Sequence, residues 1–307
     1  MAINCLGEAH GEGFSIYLGD TVDITRQMPA ESIDFSVYSP PFSNLFVYSS
    51  SEADMGNSAD DAEFFRHYGF LITQMFRITK PGRLSAVHSS DIPKTKWKDG
   101  VIAVKDLSGA IIRAHEEAGW DFACRVTIWK DPVVEMTRTK ALGLLHKQLL
   151  KDSGRSRTGM PDYLLVFRKP GVNADPIWHT KLPPPSTRLD GEVSEVDRYF
   201  PVEQWQEWAS PVWMTVDQTN VLNAKVAREN ADEKHLCPLQ LDVIHRALIL
   251  WSNPGDIVLS PFMGIGSEGS ESLKAGRRFI GIELKEAYFA QAIAHCDARD
   301  RQKLIAF

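Results

Sequence analysis

The sequence predicts an α/β protein with a mostly parallel, twisted sheet and helices on both of its faces. Short apolar runs alternate with longer amphipathic ones through most of the chain, which is the pattern of successive strand–helix units. Two of the predicted strands end in stretches of unusual composition, Ser39-Pro40-Pro41-Phe42 and a glycine turn at 261–269. Because ligands bind beyond the carboxyl ends of strands in open sheets of this kind, both stretches are candidates for the functional site.

Composition places the chain among globular proteins. It has 307 residues, of which 43% are hydrophobic and 24% charged. No apolar run reaches the ~18–20 residues that span a bilayer, and the first residues lack the basic and apolar parts of a secretion signal. We therefore expect a cytoplasmic protein without a membrane partner. The cysteines are too widely spaced to predict a zinc cage or a disulfide framework, and no other metal site is expected; they are Cys5, Cys124, Cys237 and Cys296.

The first 170 residues are predicted to form one half of the sheet. An amphipathic helix over Glu63–Ile78 ends at the breaker Lys80-Pro81-Gly82, and a second over Leu107–Ala118 ends at Gly119. Apolar runs bounded by turn residues predict the strands. In chain order these are Phe14–Leu18, Ile33–Tyr38, Leu84–His88, Phe122–Trp129 and Tyr163–Phe167.

The regular pattern is lost over residues 171–231, where prolines and scattered tryptophans indicate an inserted region or an extended cover. Alternation resumes over residues 232–307, beginning with a helix at Leu239–Trp251 that stops at Asn253-Pro254-Gly255. The elements expected after it are a strand at Ile257–Leu259, a helix after the glycine turn, a strand at Phe279–Ile282 and a helix from Glu286.

A basic segment lies at about residues 131–162. Residues 131–169 include eight basic and four acidic residues, although the net charge of the whole chain is −6. Such a local excess can contact the phosphates of a nucleic acid, or it can be an ordinary solvated loop. The candidates for phosphate contacts are Arg138, Lys140, Lys147, Arg155 and Arg157.

The turn Ser39-Pro40-Pro41-Phe42 has the chemistry of a grip for a nucleobase. Two prolines cannot continue a sheet ladder, and they stiffen the backbone. The serine hydroxyl and the Pro40 carbonyl are acceptors for an amino group, and the ring of Phe42 offers a flat face to the base that carries it. The alternative is a plain surface turn after a strand.

The glycine turn predicts a site for a nucleoside cofactor. Gly264, Gly266 and Gly269 follow a predicted strand and precede a helix, so backbone amides can approach a ligand closely. The next strand ends in Glu283, the position at which an acid holds ribose hydroxyls. A dinucleotide-dependent oxidoreductase would also fit this pattern, although it would leave the double-proline turn unexplained.

Both halves resemble the amino-methyltransferases of DNA, which methylate N4 of cytosine or N6 of adenine. Ser39-Pro40-Pro41-Phe42 matches the family's Asp/Asn/Ser-Pro-Pro-Tyr/Phe signature, and residues 261–266 match its Phe-x-Gly-x-Gly cofactor loop. The likeness covers most of residues 14–170 and 232–296, in the subgroup whose catalytic half comes first. It implies a Rossmann-like methyltransferase fold with a catalytic half at 1–170, an inserted target-recognition region at 171–231 and a cofactor half at 232–307.

The resemblance also implies partners and residue roles. S-adenosylmethionine would be the cofactor and double-stranded DNA the substrate, and both a homodimer and a cognate restriction nuclease are compatible with the family. Ser39, Pro40, Pro41 and Phe42 would hold a flipped-out base. The residues implied around the cofactor are Asp20, His235, Pro238, Ser260, Phe262, Met263, Gly264, Gly266 and Glu283.

Two positions bear on cofactor and base choice. Relatives usually carry Asp where this chain has Ser260, so the countercharge for the methionine ammonium would have to come from elsewhere, with Asp256 and Glu268 as candidates. A serine at position 39 is more similar to the cytosine enzymes than to the adenine enzymes, which favours N4 of cytosine. No Pro-Cys pair is present, so methylation of cytosine C5 through a covalent cysteine is not predicted. Methylation of RNA or of a protein amide, and noncatalytic DNA binding, stay open.

Overall fold

A computed structural model describes residues 3–42, 54–94, 96–181, 198–222 and 238–305. The strands in these ranges are β1 (Gly7–His10), β2 (Phe14–Leu18), β3 (Ile33–Tyr38), β4 (Thr79–Ser90), β5 (Ile92–Lys94), β6 (Ala103–Lys105), β7 (Asp121–Ile128), β8 (Asp162–Arg168), β9 (Val212–Trp213), β10 (Ile257–Ser260) and β11 (Arg278–Glu283). The helices in them are α1 (Thr21–Gln27), α2 (Asp61–Ile78), α3 (Lys96–Asp99), α4 (Leu107–Glu117), α5 (Pro132–Thr139), α6 (His146–Lys151), α7 (Val202–Trp208), α8 (Leu241–Trp251), α9 (Ser267–Lys274) and α10 (Glu286–Ile305). None of these helices combines the length and the apolar character needed to cross a membrane.

One sheet organises the described residues, with the strand order β1-β2-β11-β10-β3-β4-β8-β7-β9. Its middle strands β2, β11, β10, β3 and β4 run parallel to one another, whereas β1 is antiparallel to β2 and β8 is antiparallel to both β4 and β7. The predicted α/β fold with a mostly parallel sheet is confirmed.

Helices cover both faces of this sheet, as predicted. Helices α1, α2 and α4 pack on one face, where they bury Phe64 and Ile111 among other apolar side chains. Helices α8, α9 and α10 pack on the other face, where Ile244 and Leu273 belong to a second core. Each helix therefore contributes an apolar stripe to one of the two layers that sandwich the sheet.

The strand order changes direction between β3 and β10. These two strands are hydrogen-bonded neighbours, but the chain continues from β10 to β11 on one side and from β3 to β4 on the other. The helices that follow them, α9 and α2, lie on opposite faces. A crevice opens at such a switch point beyond the carboxyl ends of the strands, which is where ligands bind in open α/β sheets.

A buried ion cluster joins the amino ends of β3, β4 and β10. Arg83 is 1% exposed and contacts Asp256 Oδ2 at 2.9 Å and Asp34 Oδ1 at 3.4 Å. Asp34 also accepts hydrogen bonds from Lys80 Nζ at 2.6 Å and from the Ile257 amide at 2.9 Å. Asp256 is therefore paired with Arg83 at the amino ends of the strands, opposite the crevice. It cannot supply a negative charge to the crevice.

Two segments contain more regular structure than their composition predicts. The segment 131–162, expected as a loop, begins with helix α5 because Asp131 caps its first amides and Pro132 occupies the first helical turn. The inserted region contributes β9, which pairs with β7 at the edge of the main sheet. Trp213 of β9 is 1% exposed and belongs to the same core as α8 and α9. Burial of its large indole ring stabilises the folded protein.

Candidate active site

A cavity of about 1170 Å³ lies at the switch point, beyond the carboxyl ends of the parallel strands. Both stretches singled out in the sequence line it, although they lie far apart in the chain. The predicted site residues on its wall are Ser39, Pro40, Pro41, Phe42, Pro238, Phe262, Met263, Gly264, Glu283 and Arg157. The fold therefore brings the double-proline turn and the glycine turn into one site.

The double-proline turn directly follows β3 and faces the end of β4. Ser39 Oγ lies 3.0 Å from His88 Nδ1, because residue 39 continues the register that pairs Tyr38 with Val87. The ring of Phe42 lies 6.1 Å from the His88 ring at an interplanar angle of 38°. The hydroxyl and the aromatic face of the turn thus point into the same part of the cavity.

His88 connects the turn to a buried carboxylate that sequence reasoning did not find. His88 Nε2 lies 3.3 Å from Asp162 Oδ2, and Lys130 Nζ donates to Asp162 Oδ1 at 2.6 Å. Burial alone would raise the pKa of Asp162, but its interactions with His88 and Lys130 outweigh burial and hold that pKa well below its usual range. Asp162 is consequently an anion at the back of the site at neutral pH.

Glu283 organises the glycine turn. Its Oε2 accepts a hydrogen bond from the Gly264 amide at 2.8 Å, and its Oε1 accepts from the Leu284 and Lys285 amides at 3.0 and 2.8 Å. Burial raises the pKa of Glu283 to about 7, although these amides favour the carboxylate. The Glu283 carboxyl group lies on the cavity wall, so a ligand that donates hydrogen bonds to it would favour its anionic form.

Glu268 is a second acid on the same wall. It lies in the first turn of α9 and is 4% exposed. Burial raises its pKa to about 8, and the nearby Glu283 adds to this shift while its own backbone amide opposes it. Ser260, at the end of β10, is fully buried, and its Oγ has no hydrogen-bond partner within the described residues.

The other predicted cofactor residues lie around this wall. Asp20 caps α1 by accepting from the Asp23 amide at 2.9 Å, while its neighbours Gly19 and Thr21 line the cavity. Gly266 has a φ of +89° and starts α9. His235 lies outside the described residues.

The predicted phosphate contacts occupy different environments. Arg157 lines the cavity but its guanidinium pairs with Glu135 at 3.1 Å, in a part-buried contact. Arg155 pairs with Asp152 at 3.1 Å on the surface. Lys140 and Lys147 are exposed. Arg138 lies in α5, and its side chain falls outside the described part of the structure.

This arrangement can hold a planar amine beside a nucleoside. The turn offers an aromatic face and acceptors, His88 offers a second nitrogen for a proton, and the glycine turn offers backbone amides with a carboxylate. No thiol is part of the described site. The geometry fits transfer of a small group to an amine by positioning and electrostatics.

Comparisons with known proteins bear on the same region. The family model N6_N4_Mtase, described as DNA methylase, matches residues 33–294. The Type II methyltransferase M1.MboII of Moraxella bovis is 26% identical over 217 residues, which covers 67% of this chain and 79% of that protein.

Two solved structures share the fold over almost the whole chain. The Thermus thermophilus protein TTHA0409 complexed with S-adenosyl-L-methionine has a TM-score of 0.64 at 20% identity, covering 93% of this chain and 95% of that one. The PvuII DNA methyltransferase, cytosine-N4-specific, has a TM-score of 0.60 at 17% identity, covering 95% of this chain and 90% of that one.

Proposed function

The chain belongs to the DNA methylase family, whose model matches residues 33–294, and we propose that it transfers a methyl group from S-adenosylmethionine to the exocyclic amine of a base in double-stranded DNA. The proposal rests on the meeting, in one cavity, of the turn Ser39-Pro40-Pro41-Phe42 and the glycine turn held by Glu283. The catalytic turn precedes the cofactor turn in the chain, which supports placement in the subgroup with that order.

The glycine turn fits the nucleoside end of S-adenosylmethionine. Glu283 would accept hydrogen bonds from the ribose hydroxyls, a role its position at the end of β11 supports. Phe262 and Met263 line the adjacent wall, and Gly264 lies where an added Cβ would meet no atom within 4 Å. When bound, the cofactor supplies an electrophilic methyl group on a sulfonium.

The double-proline turn would hold the acceptor base. An exocyclic amine is a poor nucleophile because its lone pair is delocalised into the ring. Hydrogen bonds from the amine to Ser39 Oγ and the Pro40 carbonyl would favour a pyramidal nitrogen, with the base stacked on Phe42. A base inside a duplex cannot reach the turn, so the target would have to leave the stack.

The amine must lose one proton as its new N–C bond forms, and His88 is placed to receive it through Ser39. Asp162 beside Nε2 favours the tautomer with a proton on that nitrogen, which leaves Nδ1 free to accept from the Ser39 hydroxyl 3.0 Å away. The Ser39 oxygen can then accept from the amine. The anion of Asp162 would stabilise the imidazolium formed, the role that a buried carboxylate has in a hydrolase triad.

The segment with α5 and α6 is proposed to contact the DNA backbone. Its exposed cations include Lys140 and Lys147, and the same segment reaches the cavity through Arg157 and Glu135. Phosphate contacts there would set the position of the duplex without reading its sequence. Residues 171–231 would supply target recognition.

We favour N4 of cytosine over N6 of adenine as the acceptor. Ser39 supports this choice, because a serine at this position is more similar to the cytosine enzymes than to the adenine enzymes. Adenine stays the alternative, because the grip on the amine is the same for both bases.

Transfer of labelled methyl groups from S-adenosylmethionine to duplex DNA of diverse sequence tests the proposal. We expect N4-methylcytosine in digests analysed by mass spectrometry, and loss of label in Ser39→Ala. Ser36→Ala is the matched control, because its hydroxyl bonds to Ser85 Oγ at 2.8 Å away from the cavity. Labelling of RNA or protein in place of DNA would contradict the proposed substrate.

A further inference from the structure

The acids on the cavity wall differ in what they already bind. Asp54 accepts from the Gly56 amide and Asp91 accepts from the Ser108 amide. Glu135 pairs with Arg157, Asp162 pairs with Lys130, and Glu283 holds three backbone amides, as described above. Within the described residues, the one cavity acid without a contact to any other residue's donor or cation is Glu268.

The environment of Glu268 makes an unpaired carboxyl unusual. The side chain is 4% exposed and lies among α9 residues that are all buried from Ser267 to Leu273. A buried acid is normally paired, because isolating its charge from water is costly. Burial raises the pKa of Glu268 to about 8, so its carboxyl group is mostly protonated at neutral pH in the free protein.

The neighbouring residues indicate which part of a ligand would reach it. Glu283 is close enough to raise the pKa of Glu268, so the two acids lie on neighbouring parts of the cavity wall. Ser260 carries a neutral hydroxyl at the end of β10, and Asp256 is held by Arg83 at the opposite edge of the sheet. No other uncommitted carboxyl group lines the described wall of this cavity.

We infer that Glu268 is the anionic acceptor for the α-ammonium of S-adenosylmethionine, replacing a carboxylate that Ser260 does not provide. This inference rests on the proposed function, since it takes the same cofactor as ligand. A charged hydrogen bond formed in a buried site is stronger than a neutral one. Glu268 would therefore determine affinity for the amino-acid end of the cofactor and leave the nucleoside end to Glu283.

Calorimetric titration with three thioethers tests the assignment without turnover. S-adenosylhomocysteine carries the ammonium and no sulfonium, its deaminated analogue lacks only the amino group, and methylthioadenosine lacks the whole amino-acid part. In Glu268→Gln we expect affinity for S-adenosylhomocysteine to fall about tenfold or more. Affinities for the other two ligands should change less than about twofold.

Glu271→Gln is the matched control. Glu271 lies one turn further along α9 and is 1% exposed, but it pairs with Lys274 and does not line the cavity. We expect this variant to bind all three ligands as the wild type does. Glu268→Gln should fold, because the neutral amide resembles the protonated carboxyl group of the free protein.

The outcomes separate the inference from the proposed function. Equal affinity of wild type and Glu268→Gln for S-adenosylhomocysteine would overturn the inference alone, as would an equal loss for the deaminated analogue. A wild-type protein that binds none of the three ligands would overturn the proposed function and the inference with it.

Discussion

The buried carboxylate of Asp162 provides the sharpest prediction, because a matched carboxylate lies at the other end of the same sheet. Asp162 and Asp34 are each 3% exposed, and each accepts from a lysine Nζ at 2.6 Å. Only Asp162 also contacts His88, behind Ser39. Replacement by Asn removes the same charge in both places, but only one replacement should affect methyl transfer.

Stability should fall in both variants. Removing one member of a fully buried pair costs about 3–5 kcal/mol. The side chains of Lys130 and Lys80 are 20% and 43% exposed, so both can reach water. Arg83, the other cation beside Asp34, keeps its contact with Asp256, and we therefore expect a loss of about 2–3 kcal/mol. That corresponds to a fall in Tm of about 4–10 °C. Because the pKa of Asp162 is lowered by folding, its contribution is present at neutral pH and is lost as pH falls below about 4.

Catalysis should fall only in Asp162→Asn. An amide beside His88 Nε2 can donate as well as accept, so it no longer fixes the tautomer that accepts from Ser39. We expect kcat to fall by about 10²-fold or more, with little change in the affinity for cofactor, in assays run well below both Tm values. Wild-type kcat in Asp162→Asn, or an equal loss in Asp34→Asn, would refute the proton path.

Three further predictions concern the two turns. Phe42→Ala should lower kcat/KM for DNA about 10–100-fold by loss of base stacking, whereas Phe42→Tyr should retain most activity; equal rates for all three proteins in steady-state assays would contradict the stacking role. The pKa of Glu283 is about 7, and hydrogen bonds from ribose hydroxyls favour its anion. Methylthioadenosine should therefore bind up to about tenfold more tightly at pH 8 than at pH 6. An affinity that does not change with pH in calorimetry would argue against the contact between Glu283 and the ribose. Gly266→Ala should destabilise the protein by about 1–3 kcal/mol more than Gly255→Ala, as measured by urea unfolding. Both glycines have a positive φ, but only a Cβ at position 266 would lie 3.0 Å from Ala292 Cα. Equal losses would mean that backbone strain alone matters.

Local signals in the sequence were sufficient for the two turns. The double proline ends β3 because it cannot continue a ladder, and positive φ at Gly264 and Gly266 requires residues without a side chain. Both features depend on a few adjacent residues, so the sequence predicts them and the sheet they terminate. The fold class followed from the same alternation of apolar runs.

Contacts between distant strands could not be predicted in this way. His88, Lys130 and Asp162 come from β4, the end of β7 and the start of β8, and they meet only because β8 runs antiparallel between the other two strands. The choice between Asp256 and Glu268 likewise required the position of Arg83. Composition also did not predict helix α5, because its cap depends on a single aspartate, Asp131.

We propose that the two turns act together to methylate an exocyclic amine in DNA. Single-molecule sequencing of DNA from cells that express this chain, compared with cells that express Ser39→Ala, tests this proposal. We predict N4-methylcytosine at one recurring sequence in the first DNA and none in the second. Unmodified DNA in both, or a modification that persists in Ser39→Ala, would refute the proposed role of the two turns.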